Sequence, residues 1–137
     1  MVSIERQVRF EEVDAAGILF FARFATYAHD AMERLFDALD GGYAALTMKR
    51  RIGLPAVKLG CEFSAPLRYG DIARISVSAL RIGNRSAELG YRIERQGDLV
   101  LAAALTHTVV VTDLEAMRSC EMPPDVRAVL MAHFAGQ

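Results

Sequence analysis

From residue 24 to residue 39 apolar side chains return every three or four positions. Phe24, Tyr27, Ala28, Ala31, Met32, Leu35 and Leu39 fall on one face, with His29, Asp30, Glu33, Arg34 and Asp37 between them. That spacing predicts an amphipathic helix with a broad apolar stripe. Gly41-Gly42 ends it, because glycine takes the left-handed conformation of a helix C-terminus without a Cβ clash, and a short helical turn is expected over 43–50. A single helix cannot bury its own stripe, so the rest of the chain must supply the covering surface.

On either side the period changes to two. Ile4, Val8 and Phe10 mark a short strand over 4–10. After Pro55, the residues Val57, Leu59, Cys61, Phe63 and Ala65 share one face and Lys58, Glu62 and Ser64 the other, which predicts a half-buried strand. Ala73, Ile75, Val77 and Ala79 alternate with Arg74, Ser76 and Ser78 as far as the Gly83-Asn84 turn signal. Ala87, Leu89, Tyr91 and Ile93 alternate with Glu88, Arg92 and Glu94 up to Gln96-Gly97-Asp98. Residues 99–112 are β-branched and nearly uncharged, and are read as the central strand, buried on both faces. Pro123 opens a terminal helix carrying Val126, Val129, Leu130 and His133. The expected class is α+β, an antiparallel sheet of about five strands wrapped around one long helix in a single domain, 1–137. Such a sheet keeps an open edge, and open edges pair, so a homodimer or homotetramer joined through the sheet is expected.

Charge and composition exclude several classes. Sixteen Lys plus Arg against seventeen Asp plus Glu leave a net charge of -1 with no basic block, so no nucleic-acid partner is expected. The longest uncharged run, 99–112, is shorter than the roughly 18–20 residues of a membrane-spanning helix, and Glu5, Arg6 and Arg9 break any leader-like apolar stretch. No membrane association is expected, and the location is read as cytoplasmic. Cys61 and Cys120 have no C-x-x-C spacing and fit free thiols in a reducing compartment. No metal-ligand spacing and no G-x-S-x-G elbow occurs, so neither a metal, a cofactor nor a serine nucleophile is expected.

Between the first strand and the long helix, one acid stands among small and apolar residues in Val13-Asp14-Ala15-Ala16-Gly17-Ile18-Leu19-Phe20-Phe21-Ala22-Arg23-Phe24. By residue chemistry alone Asp14 is either the acceptor of an Asx-turn or helix cap, with Gly17 in the turn, or a functional carboxylate. The run resembles the signature D-x-x-G-[IV]-[VL]-[FY] of the 4-hydroxybenzoyl-CoA thioesterase family of hot-dog-fold proteins. The likeness extends to Pro66-Leu67-Arg68-Tyr69-Gly70-Asp71 before a strand, to Arg81-Ile82-Gly83-Asn84-Arg85-Ser86 at a turn, and to the element order. It implies a hot-dog fold and an acyl-CoA substrate. It also implies a catalytic set of Asp14, Gly17 in its loop and the backbone N–H of Phe21, where the acid attacks the thioester carbonyl or activates water and the N–H polarises it. A thiolate leaves readily, its free-thiol pKa being about 8.5, so one carboxylate and one electrophilic donor suffice. A helix N-terminus favours the oxyanion.

The same resemblance implies that Phe20 and Phe24 line an aryl pocket and that Arg81 and Arg85 meet the CoA phosphates, which an arginine fork matches. The chain departs from the family pattern at Glu12-Val13, where an acid-Thr pair is commoner, and at Arg23-Phe24. Phe21 also stands where the branch acting on short aliphatic acyl-CoA, linked to the envelope Tol-Pal system, carries histidine. That departure points toward an aromatic or compact acyl group. His29 is read as a polar-face or interface residue and His107 as hydrogen-bonded in the core. The alternatives kept beside acyl-CoA hydrolysis are a non-catalytic acyl-CoA sensor and a short-chain aliphatic thioesterase. A hydratase ranks lower, because no D-x-x-x-H arrangement occupies the loop.

Overall fold

The computed structural model describes residues 1–136 of the chain. Its strands and helices are β1 (Val2–Gln7), α1 (Arg23–Leu35), α2 (Gly42–Ala44, continuing as a wide π-type turn over Ala45–Lys49), β2 (Ile52–Gly53) and β3 (Ala56–Phe63), followed by β4 (Ile72–Ile82), β5 (Ser86–Arg95), β6 (Leu101–Val110), β7 (Thr112–Asp113), β8 (Arg118–Ser119) and α3 (Pro124–Ala132). Five strands form an antiparallel sheet in the order β1-β4-β5-β6-β3. They wrap around α1, and this is the hot-dog arrangement.

The wrapping follows from cross-strand register. Ile4, Ile75, Ile93, Ala103 and Phe63 lie in one row across the sheet, and Val2, Val77, Tyr91, Leu105 and Cys61 lie in the next. Successive residues of a strand alternate faces, so these rows present one continuous apolar surface. Against it α1 buries Phe24, Tyr27, Ala28, Ala31, Met32 and Leu35, the stripe expected from the spacing. Past Leu35 the helix tightens into a 3-10 turn over Phe36–Ala38, and Leu39 is extended yet still buried. Gly41 and Gly42 then take φ of +76° and +70°, values that only glycine adopts cheaply.

Three expectations need correction. The first strand ends at Gln7, and Phe10 belongs to a 3-10 turn, Phe10–Glu12, that leads into the Asp14 loop. Residues 99–112 are not one central strand: β5 holds the middle, Leu99 and Val100 are exposed, and Thr112 leaves for a separate sheet with β2 and β8. Nor is β6 buried on both faces, since the outer face of the sheet is open within the chain and Thr106 is exposed there. Finally, β3 is an edge strand that α1 covers only in part, through Phe24 against Phe63. Val57, Leu59 and Phe63 are 62%, 52% and 53% exposed.

A buried polar cluster joins β1, the 3-10 turn and α1. The Glu12 carboxylate, 2% exposed, accepts the Tyr27 hydroxyl at 2.6 Å, Arg6 at 2.6 Å and the Arg9 N–H at 3.0 Å. Arg6 also pairs with Asp30 and lies 4.3 Å over the Tyr27 ring. Burial alone would raise the Glu12 carboxyl, but these donors outweigh it and hold it below the ordinary glutamate range. Burial and Glu12 together push the Tyr27 hydroxyl far up, and burial does the same to Tyr91. Burial, helped by His29, lowers His107.

Folding therefore favours ionised Glu12, neutral His107 and neutral Tyr27 and Tyr91. The first two contributions are complete above the unfolded-state values and are lost as pH falls through the lowered ones, whereas the tyrosine contributions are complete below about pH 10 and are lost above it. Burial also raises the Cys61 thiol, whose contribution starts to be lost above the free-thiol value, so urea denaturation should give a stability plateau between about pH 7 and pH 8.5, declining on both sides. Replacing Glu12 by Gln should flatten part of the acid limb, and an unchanged limb would remove Glu12 from it.

Candidate active site

The loop that follows the 3-10 turn is a small hairpin at one end of the sheet. Its rungs are the Phe20 N–H to the Glu12 carbonyl at 2.9 Å, the bridge between Val13 and Leu19, and the Asp14 N–H to the Ile18 carbonyl at 2.9 Å. It is sewn to the segment before β4 by the Leu19 N–H to the Leu67 carbonyl at 2.7 Å and by a bridge between Ile18 and Arg68. At the tip Gly17 takes φ of +79° and donates its N–H to the Asp14 carbonyl at 2.9 Å. Glycine is needed there for the backbone, because nothing lies within 4 Å of an added Cβ.

Asp14 is exposed, and its two carboxylate oxygens differ. Oδ1 accepts the Ala16 N–H at 2.9 Å and the Ile18 N–H at 3.4 Å, an Asx-turn. Oδ2 has no protein donor among the described residues, so the carboxylate is oriented through one oxygen while the other is free to meet a substrate or water. Past Phe20, α1 starts without assistance. Its N-cap is Ala22, no side chain caps it, and no acid lies in its first turn. Caps and first-turn acids are the usual partners of helix N-terminal N–H groups. The Phe21 N–H, just before the helix, likewise finds no acceptor among the described residues.

Asp14, Ile18, Leu19, Phe21 and Phe24 line one side of a groove of about 440 Å³, and Phe63, Ser64, Ala65 and Pro66 line the other. The Phe24 and Phe63 rings meet edge to face, with centroids 5.1 Å apart and planes at 79°, the geometry that aromatic quadrupoles favour. A larger cleft of about 950 Å³ between Arg6–Glu11 and Tyr69–Gly70 contains none of the residues that the motif singles out.

The structure thus gathers Asp14, Phe21 and Phe24 around one groove, with Gly17 in the supporting turn. Phe20 does not line it; its ring leans on Phe21, centroids 4.8 Å apart. Arg81 and Arg85 lie elsewhere, Arg81 donating to the Ser86 hydroxyl at 3.2 Å and Arg85 to the Ser119 carbonyl at 3.2 Å. They sit at the Ile82 end of β4, whereas Asp14 sits at the Ile72 end, and the eleven residues of that strand span roughly 30–35 Å. Within one chain the arginines and the acid do not meet. His29 is exposed and pairs with Glu33, while His107 shares a 3.0 Å hydrogen bond with Tyr91, as read from their places in the pattern. Phe63 was not among the expected wall residues. Its signal was its position as the last apolar residue of its strand, just before Ser64-Ala65-Pro66.

The model of the thioesterase-like superfamily matches residues 8–130. The chain belongs to that superfamily. A 1,4-dihydroxy-2-naphthoyl-CoA hydrolase of Nostoc punctiforme is 28% identical over 121 residues, covering 88% of this chain and 80% of its own. The structure of BH1999 gentisyl-coenzyme A thioesterase superposes with a TM-score of 0.82 at 26% identity, covering 93% of this chain and 98% of its own. That of Slr0204, a 1,4-dihydroxy-2-naphthoyl-CoA thioesterase from Synechocystis, gives 0.86 at 21% identity over 95% of each chain and bears on the fold alone.

Asp14→Asn keeps an oxygen for the Ala16 N–H and should leave stability within about 1 kcal/mol of wild type. Gly17→Ala forces a Cβ into a left-handed residue and should cost about 1–2 kcal/mol. Urea titrations of the two variants test this, and the reverse order would contradict the geometry of the loop.

Proposed function

We propose that this thioesterase-like protein hydrolyses aromatic acyl-CoA thioesters as a homodimer, with Asp14 as nucleophile or general base and the Phe21 N–H as the oxyanion donor. One observation carries the reading: among the described residues, a carboxylate with one oxygen tied down and one free shares an aromatic-walled groove with an unpartnered N–H at the start of a helix. Either the Asp14 carboxylate takes a proton from a water that adds to the thioester carbonyl, or it attacks that carbonyl itself, expelling CoA and forming a mixed anhydride that water then hydrolyses back to the Asp14 carboxylate and the free acid. In either case the C–S bond breaks, CoA leaves as the thiolate, and the acid is released. As negative charge builds on the carbonyl oxygen, the Phe21 N–H and the positive end of α1 stabilise it.

The substrate class is supported by the Phe21, Phe24 and Phe63 rings and by the relatives' names, 1,4-dihydroxy-2-naphthoyl-CoA hydrolase and gentisyl-CoA thioesterase. The finer resemblance to 4-hydroxybenzoyl-CoA thioesterases belongs to the same reading. So does the treatment of 1–137 as one thioesterase domain, for which one continuous core speaks. Cytoplasmic residence is supported by the unpaired thiols of Cys61 and Cys120.

The dimer is supported by β3, an apolar edge strand with one side of its ladder unpaired. Antiparallel pairing of β3 with its copy joins two five-stranded sheets and turns the partner end for end. The partner's β4–β5 turn then stands at the Asp14 end of this chain. Its β5 lies three strand spacings from β3, roughly 15 Å away. Arg81 and Arg85 of one protomer thereby serve the groove of the other, which reconciles their distance from Asp14 with a role in binding the CoA phosphates.

Asp14→Asn should lower kcat by about 10²–10⁴ with the fold intact by circular dichroism; near wild-type turnover would take Asp14 out of the mechanism. Benzoyl-CoA or 4-hydroxybenzoyl-CoA should exceed hexanoyl-CoA in kcat/KM by up to about tenfold, since aromatic pairing adds roughly 0.5–1.5 kcal/mol beyond area burial. A tenfold advantage for hexanoyl-CoA would assign the chain to aliphatic substrates.

For the dimer, Asp14→Asn and Arg81→Ala/Arg85→Ala proteins should each be impaired alone. Mixed and allowed to exchange subunits, they should regain activity with wild-type KM, because one groove of each mixed dimer pairs an intact acid with intact arginines. No recovery in confirmed mixed dimers would place the arginines outside the partner's site, and a 15 kDa species by light scattering would exclude the dimer.

A further inference from the structure

We propose that Glu12 is a positioning residue for this reaction, a buried clamp that sets the separation of the Asp14 carboxylate from the Phe21 N–H. The inference rests on the reading of Asp14 and Phe21 given above and adds a residue to it.

Both arms of the active hairpin start from Glu12. Its carbonyl accepts the Phe20 N–H at 2.9 Å, so one arm runs from Glu12 to Asp14, two residues on, and the other runs from Phe20 directly into Phe21. The Phe20 carbonyl in turn accepts the Arg23 N–H at 2.8 Å, which ties the second arm to the start of α1. The Glu12 side chain does not line the groove. It is gripped by three donors: Tyr27 on α1, Arg6 on β1 and the Arg9 N–H just before the 3-10 turn. Tyr27 lies in the second turn of the helix whose start carries Phe21. Through the Tyr27–Glu12 bond, the hairpin base is therefore registered against the helix that presents the oxyanion donor.

Stability alone does not call for a buried carboxylate here. Replacing a buried ionic group by apolar residues of similar volume is often neutral or stabilising, and Arg6 already joins β1 to α1 through Asp30. What the Glu12–Tyr27 bond adds is directional: an apolar pair would fill the same space but would let the hairpin slide along the helix. A displacement of about 1 Å at a reacting group can cost on the order of 10²-fold in rate. Neither Glu12 nor Tyr27 reaches the groove, so their effect passes through Asp14 and Phe21.

The test uses the 137-residue chain, 4-hydroxybenzoyl-CoA and free-thiol detection. Tyr27→Phe removes one hydrogen bond and retains the ring under Arg6, and it should lower kcat by about 5- to 50-fold with KM within threefold. Glu12→Gln, which turns an amide N–H toward Arg6 or Tyr27, should lower kcat at least as far. In an Asp14→Asn background Tyr27→Phe should change the residual rate by less than about twofold, because residues acting through one another are not additive. A merely structural role would multiply both backgrounds by the same factor. Equal factors, or a kcat within twofold of wild type for Tyr27→Phe, overturn the clamp, and Tyr27→Phe decides the matter even if Glu12→Gln fails to fold. Wild-type turnover by Asp14→Asn alone would overturn the underlying reading instead, so the two failures are told apart.

Discussion

Everything in this molecule depends on the burial of one helical stripe by a sheet that is not wide enough to finish the task. Along the row Ile75, Ile93, Ala103 the side chains are fully buried, and at Phe63 on β3 the row emerges into solvent. That shortfall creates both the groove and the open edge. The groove is the space between the start of α1 and the last residues of β3, where helix and sheet diverge. The edge is the same strand seen from its unpaired side. A wider sheet would close over the helix and leave neither the groove nor this open edge.

The Asp14 hairpin, the proposed site of the chemistry, occupies the end of that arrangement. It is anchored to the segment before β4 through Leu67 and Arg68, and to the core through Glu12. Rigid elements therefore hold a loop whose own residues, Ala15, Ala16 and Gly17, contribute almost no packing of their own. A loop positioned by a scaffold is where chemistry is most often found. The omission of any capping side chain at Ala22 has the same logic. A Ser or Asp at the start of α1 would supply the side-chain acceptor that helix termini ordinarily have, in competition with the oxyanion proposed to lie there.

The period-two and period-3.6 patterns carried the architecture because each reports which face of an element is apolar, and here the faces agree with the fold. What they could not carry was which apolar faces remain uncovered. Val57, Leu59 and Phe63 alternate as a core-facing set should, and nothing in their identity distinguishes burial within the chain from burial against another copy. The uncharged run 99–112 suggested the middle of the sheet for a similar reason. It lacks charge although it sits one strand from the edge, and its outer face carries Thr106 and Thr108, which suit either environment. In the loop, Asp14 and Gly17 stood out because small residues surround a lone acid, whereas Glu12 and Tyr27 did not, since their partnership spans fifteen positions and appears only once α1 has folded back on the hairpin. The stripe had marked Tyr27 as apolar, and its hydroxyl is the part that matters.

The separation of Arg81 and Arg85 from Asp14 bears on how a site this sparse can be selective. A CoA thioester presents a small reacting carbonyl and a large, distant anionic end. On the dimeric reading, the reacting end is handled by one chain with a single carboxylate and a single N–H, while the anionic end is handled by the other chain with arginines set on a turn. Binding energy gained at the remote end can then be used to hold the carbonyl against Asp14, which is the way remote contacts raise turnover and not merely affinity. The acyl portion lies between the two, against Phe21, Phe24 and Phe63. Of these, Phe63 sits on the β3 edge proposed to join the copies, so dimerisation would fix the wall of the acyl groove as well as deliver the arginines. A chain that remained a monomer would keep its acid and its N–H but would lack both the phosphate contacts and a fixed pocket wall. On that reading the incomplete cover of one helix links the fold, the proposed pairing of two copies and the completeness of the proposed site.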